Sequence, residues 1–224
     1  MARWSQRRAC FATCASSVLA ALLCGRGSRR VHSSQRVGEG HELKIILIHG
    51  NGGCTAGDIW YPWLERECLA LGVPVINQTF PDNVKARARF WLPFLEELGA
   101  DENTVLIGHS SGAVAAMRYA ETHRLRGSIL VSVCYTDLGD AGEAASGYYS
   151  APWQWDLIRD HQQWIGIYHS TDDPHIPASE PRYVAAQLKC SYFEFADRGH
   201  FVDAGALPEI VPFIKRKLGL TAGR

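Results

Sequence analysis

From Glu42 onward the chain alternates short β-branched apolar runs with amphipathic stretches of helical spacing. Lys44-Ile45-Ile46-Leu47-Ile48 is a continuous apolar run that ends in His49-Gly50-Asn51-Gly52-Gly53, the pattern of a strand buried on both faces and followed by a glycine loop. Trp60, Trp63, Leu64, Cys68 and Leu71 recur at helical spacing, and Gly72 supplies a stop. Val73 to Asn77 reads as the next strand, with Pro74 favouring a strand beginning or an edge over a central position. Helical spacing returns from Lys85 to Leu98, where Pro93 predicts a kink or a split. Strands are then predicted at Thr104–Ile107, Ser128–Val133, Trp164–Tyr168 and Ser191–Phe195, and helices at Ala113–Thr122, Ser179–Leu188 and Leu207–Leu218. Residues 136–160 break this rhythm with a Gly/Ala/Ser-rich acidic stretch followed by Trp153 and Trp155, and read as a long excursion. Strands separated by helix-sized segments predict a mostly parallel sheet flanked by helices on both faces.

Composition changes this picture at the N-terminus. The 224 residues carry 23 basic and 23 acidic side chains, a formal charge of zero. Residues 1–40, however, hold seven arginines against the single acid Glu39, a formal +6, so the body is left at −6. An acidic body argues against nucleic acid as a partner, because neutralising phosphates requires surplus Lys and Arg. The apolar stretch Ala9–Cys24 is 16 residues long and is interrupted by Thr13, Ser16 and Ser17, so stable membrane insertion is not expected. Arg26, Arg29 and Arg30 follow that stretch directly, where a secretory signal would place small residues for cleavage. Residues 1–40 therefore read as a mitochondrial targeting segment, the alternative being a poorly ordered extension of a cytoplasmic protein. The scattered body cysteines, Cys54, Cys68, Cys134 and Cys190, agree with a reducing compartment. Residues 42–220 are expected to form one domain.

Candidate chemistry centres on Gly108-His109-Ser110-Ser111-Gly112, which joins a predicted strand to a predicted helix. In that context G-x-S-x-G marks a nucleophile on a sharp turn, with small residues on both sides so that neighbouring backbone can approach. Ser110 would be the nucleophile, and the Ser111 amide one donor to the developing oxyanion. A serine hydroxyl needs a base that is oriented by an acid, and in α/β-hydrolases these follow the nucleophile in the order acid, then histidine. His200, in the loop after the last strand, is the base by that order. Asp172 and Asp173 compete for the acid; Asp173 stands four residues before Pro177, the spacing common at this loop, whereas Asp172 reads as a carboxylate bonding turn amides. The second oxyanion amide falls to Asn51 or Gly52 in the first glycine loop. His49 and His109 are expected to line the same site. No phosphate-binding glycine motif and no Cys/His cluster of ligand spacing occurs, so neither cofactor nor metal is expected.

Over about residues 43–218 the chain resembles the retinoblastoma-binding protein 9 serine hydrolase family of small α/β-hydrolases. The resemblance rests on Gly50-Asn51-Gly52-Gly53, Trp91-Leu92-Pro93-Phe94, Ile107 to Ala113, Ala116 to Arg124, Pro152-Trp153-Gln154-Trp155, Ser170 to Pro174 and Gly199-His200-Phe201. It implies an α/β-hydrolase fold, a Ser110–Asp173–His200 triad, and a cover over the site that contains Trp153 and Trp155. It also brings a departure. The name-giving member binds retinoblastoma protein through Leu-x-Cys-x-Glu, and here Leu98-Gly99-Ala100-Asp101-Glu102 has Ala100 in place of the cysteine, so that partner is not expected. The expected function is hydrolysis of a small ester or activated amide or aminoacyl substrate through an acyl-enzyme. The alternative is a hydrolase-fold protein acting as an interaction module with low turnover.

Overall fold

The computed structural model describes residues 42–220, so the targeting segment expected over 1–40 lies outside the described residues. Six strands, β1 (Lys44–Ile48), β2 (Val75–Asn77), β3 (Thr104–His109), β4 (Gly127–Val131), β5 (Ile165–Ser170) and β6 (Ser191–Phe195), form one sheet. Their order is β2-β1-β3-β4-β5-β6, and every neighbouring pair is parallel. Alternating side chains serve two cores, as the strand period requires. Ile45, Leu47, Val105, Ile107, Ile129 and Val131 pack against α1 (Tyr61–Ala70) and α7 (Ile210–Leu218). Ile46, Ile48, Leu106, Leu130 and Ile167 face α2 (Ala88–Glu97), α3 (Ser111–Ala120), α5 (Trp155–Asp160) and α6 (Ser179–Leu188). The short α4 (Ala141–Ala144) and α5 lie within the 136–160 excursion.

Two expectations are revised by local physics. Pro93 does not split α2: the helix runs through it, with Trp91 and Leu95 fully buried on the core side of the same turns. Proline at that place removes one backbone donor from the helix ladder. β4 stops at Val131, two residues earlier than the apolar run suggests, because Ser132 adopts φ 50° and turns the chain out of the sheet. Pro74 stands just before β2, and β2 is an edge strand, in line with the expectation.

The strand order reverses between β1 and β3, so the connections from their carboxyl ends leave toward opposite faces and open a crevice there. Ile48 pairs with Gly108 in register, which sets the loop after β1 beside the turn after β3.

Candidate active site

Ser110 occupies the turn between β3 and α3 with φ 54° and ψ −121°, a conformation costly for any residue with a side chain. Its own amide donates to the Val131 carbonyl at 2.9 Å, which ties the turn to β4. The two flanking glycines are required by contact. A Cβ on Gly108 would lie 2.3 Å from the Gly112 carbonyl oxygen, and one on Gly112 would lie 2.3 Å from the Ile48 carbonyl oxygen. Backbone, not flexible side chain, fills both places, so the turn can be this sharp only with hydrogen at both Cα atoms. α3 starts at Ser111 rather than at Ala113, and the Ser111 N–H, at the first position of the helix, has no hydrogen-bond partner among the described residues.

His200 Nδ1 lies 2.8 Å from Asp173 Oδ2, with the Asp173 side chain fully buried and that of His200 10% exposed. Asp173 Oδ2 also accepts from Ser132 Oγ at 3.0 Å, and its Oδ1 accepts from the amides of His175 and Ile176 at 2.9 and 3.0 Å. Burial pushes this carboxyl up, but the hydrogen bond and charge of His200 together with those two amides outweigh it and hold Asp173 down at about 2. The carboxylate therefore orients the His200 ring by accepting from Nδ1–H.

Asp172 plays the other part considered for it. It is exposed, and its Oδ1 accepts from Ser170 Oγ and from the Gly199 amide at 2.9 Å, which holds the loop that carries His200. Ser170 Oγ in turn accepts from the Arg198 amide at 3.0 Å, and Trp60 Nε1 donates to the Phe201 carbonyl at 3.1 Å.

His109 is more than a lining residue. Its Nε2 lies 2.8 Å from the His200 carbonyl oxygen, so it must carry the proton there, and its Nδ1 then accepts from the Tyr61 hydroxyl at 3.1 Å. Burial, with the nearby His200 charge second, lowers His109 to about 3, which keeps this bridge neutral. The sequence signal available was the position of a histidine immediately before Ser110. His49, by contrast, does not line the cavity: Nε2 accepts from the Phe80 amide at 2.8 Å, its Nδ1 is 2.7 Å from the Gly50 carbonyl, and its ring packs against Phe80 and Trp91.

The two candidates in the first glycine loop separate. Gly52, at φ 74°, turns its N–H away to the Val84 carbonyl at 3.1 Å, so its amide is already used and the oxyanion assignment to Gly52 is corrected. The Asn51 N–H has no partner among the described residues, and Asn51 lines the cavity. Asn51 Nδ2 donates to Glu143 Oε1 on α4 at 2.6 Å.

Ser110, Ser111, Asn51, His109 and His200 open into one cavity of about 480 Å³, whose remaining wall includes Leu138, Asp140, Glu143, Tyr149, Ile176 and Val202. Of residues 136–160, Leu138, Asp140, Glu143 and Tyr149 line this cavity and Trp153 and Trp155 do not. The expectation that the two tryptophans lie over the site is therefore corrected, and the cover is the 138–149 part of the excursion. The excursion is held by Arg118 of α3. Its guanidinium donates to the carbonyls of Tyr148, Ala151 and Pro152 and to Glu121, and lies 3.6 Å from the centroid of Trp153. Glu180 of α6 accepts from the amides of Tyr135 and Thr136 at 2.9 and 3.1 Å, which fixes the start of the same excursion. Nothing in the sequence alone singled out Arg118, Ser132, Glu143 or Glu180. Among the described residues no helix is long and apolar enough to cross a membrane, and no group of three ligand-type side chains could hold a metal ion.

The chain resembles known proteins over this whole region. A family model described as serine hydrolase matches residues 45–214. Serine hydrolase RBBP9 of Rattus norvegicus is 44% identical over 181 residues, covering 78% of this chain and 95% of the relative. The structure of the ydeN gene product of B. subtilis superposes with a TM-score of 0.73 at 26% identity, covering 79% of this chain and 99% of that one. Est1E of Butyrivibrio proteoclasticus, solved with ferulic acid bound, shares the fold with a TM-score of 0.63 at 16% identity, over 79% and 88% of the two chains. With its six-stranded parallel sheet and flanking helices, the chain has the α/β-hydrolase fold and belongs to the serine hydrolase family.

Proposed function

We propose that the protein cleaves a small ester or activated amide through a Ser110–His200–Asp173 triad. The observation that carries this reading is the Asp173–His200 pair at 2.8 Å opening into the same cavity as the strained turn that presents Ser110. Ser110 Oγ attacks the substrate carbonyl as His200 Nε2 takes its proton, and the Asp173 carboxylate stabilises the imidazolium. The N–H groups of Ser111 and Asn51 receive the oxyanion, helped by the positive end of α3. His200 then returns the proton to the leaving group, and water repeats the sequence on the acyl-enzyme. His109 does not compete as base, since both of its nitrogens are engaged.

The cavity wall supports a narrower substrate class. About 480 Å³ suits a small acyl group, and Asp140 and Glu143 put negative charge near it while Leu138, Tyr149, Ile176 and Val202 offer apolar contact. An aminoacyl ester or naphthylamide, whose ammonium would face those carboxylates, fits this lining. Steady-state hydrolysis of a paired panel tests both levels. Ser110→Ala is expected to lower kcat by at least about 10³-fold on every substrate, and turnover retained by Ser110→Ala would sink the triad. N-acetylation of an amino-acid nitrophenyl ester is expected to reduce kcat/KM, and equal values with and without the acetyl group would remove the aminoacyl preference.

We also propose that residues 1–40 direct the protein to mitochondria, from their arginines and lack of Asp. A fluorescent fusion of those residues checks this, with a diffuse cytosolic signal as the contrary result.

A further inference from the structure

The loop after β1 is held from two sides. Behind the cavity, the amides of Gly52 and Gly53 donate to the carbonyls of Val84 and Asn83, and Asn83 Nδ2 donates to the Cys54 carbonyl at 2.9 Å. These bonds fix the part of the loop that follows Asn51. Toward the cavity, the Asn51 side chain reaches across to Glu143 Oε1 at 2.6 Å, 92 residues away in sequence. The backbone of Glu143 is itself held, because Asp140 caps α4 by accepting from the amides of Gly142 and Glu143 at 2.7 and 3.0 Å.

We propose that Glu143 is a positioning residue that latches the Asn51 loop to α4, so that the Asn51 N–H is aimed at the oxyanion. The inference rests on the oxyanion role given to that amide above. A half-buried carboxylate accepting a short bond from a neutral amide holds its partner firmly, because both groups would otherwise lose a bond in a site of reduced water content. The Glu143 carboxyl is raised by this burial, with the Asn51 bond acting against it. What the latch needs is an acceptor, not a charge. Glutamine at 143 can accept through its own Oε1 in the same place.

Loss of a whole oxyanion donor costs about 10²–10³ in kcat, and a donor left in place but poorly aimed should cost about 10-fold. The test compares Glu143→Ala, Glu143→Gln, Asn51→Ala and the double alanine variant on nitrophenyl acetate. That ester is neutral, so any attraction between the Glu143 charge and a cationic substrate is left out. Asn51→Ala keeps the backbone N–H and breaks the same bond from the other end. The expected result is a fall of about 10-fold in kcat for each alanine variant, with KM within about twofold. The double variant should be no slower than either single one, and Glu143→Gln should stay near wild type. Alanine variants with unchanged kcat, losses that multiply in the double variant, or a glutamine variant as slow as the alanine one would each overturn the latch. Ser110→Ala in the same assay separates the two levels. If it still turns over, the triad reading fails; if it is inactive while Glu143→Ala is unaffected, the latch alone fails.

Discussion

Replacement of Arg118 by alanine should weaken the whole domain through the cover, and the structure sets the size of the effect. The side chain is 9% exposed, and its guanidinium donates to the Tyr148 carbonyl at 2.7 Å, to Ala151 at 2.6 Å, to Pro152 at 3.2 Å and to Glu121 Oε1 at 2.7 Å. Tyr148 is buried, so its carbonyl would be left without a partner, at roughly 1–3 kcal/mol. Ala151 and the residues around it are exposed, and water can replace the guanidinium there at small cost. The face of Trp153, 3.6 Å from the guanidinium carbon, would lose a contact of about 1 kcal/mol. Glu121 would keep the Gln154 amide at 2.9 Å but lose its cation. Together these give about 3 kcal/mol for Arg118→Ala. Arg118→Lys should lose about half of that, because one ammonium cannot reach three carbonyls arranged around a planar fork. Equilibrium urea unfolding measures both. Because the clamp holds the cover, the alanine variant should also show faster proteolysis within residues 136–160 than elsewhere. A stability loss under 1 kcal/mol, or equal losses for lysine and alanine, would refute the clamp.

Three further outcomes follow from the same geometry. Gly112→Ala puts a methyl 2.3 Å from the Ile48 carbonyl oxygen and 2.6 Å from that of His49, both backbone atoms at the end of β1, so thermal unfolding should register a loss of about 3 kcal/mol. Asp173 is held at about 2 against an ordinary 3.8, so its contribution to stability, on the order of 2 kcal/mol, is present above about pH 4 and lost as pH falls toward 2. Asp173→Asn should accordingly unfold with a flatter acid limb than wild type between pH 4 and pH 2, and an unchanged limb would contradict the charge pairing. His109→Phe should release the His200 carbonyl and lower kcat by about 10-fold with little change in KM, while His109→Gln, which can still donate at that point, should lose less; equal kcat in all three proteins would show that the bridge does not position His200.

Much of the fold was legible because its signals are local. Runs such as Lys44–Ile48 and Ser191–Phe195 carry their strand character in consecutive residues, and Pro74 excludes a central place because it lacks a donor. The Gly108/Gly112 pair was legible for a sharper reason: the contacts that demand glycine lie within one turn of the chain or on the neighbouring strand. What escaped notice depends on distant partners. Ser132 belongs to an apolar run by sequence, yet it leaves the strand to meet Asp173, 41 residues on. Gly52 and Asn51 look equally able to offer an amide until Val84, in a separate segment, claims one of them. The cover has no periodicity to read: α4 spans only four residues and is capped by Asp140, and the segments before and after it are held by Glu180 and Arg118 rather than by an amphipathic face.

If Ser110 is a nucleophile activated by His200, a fluorophosphonate should capture it covalently. The protein is incubated with a fluorophosphonate, its intact mass is measured, and the modified peptide is sequenced. One phosphonyl group is expected, placed on Ser110, absent from Ser110→Ala and formed far more slowly in His200→Ala. Labelling of Ser110→Ala at the wild-type rate, or an adduct on another residue, would contradict that assignment.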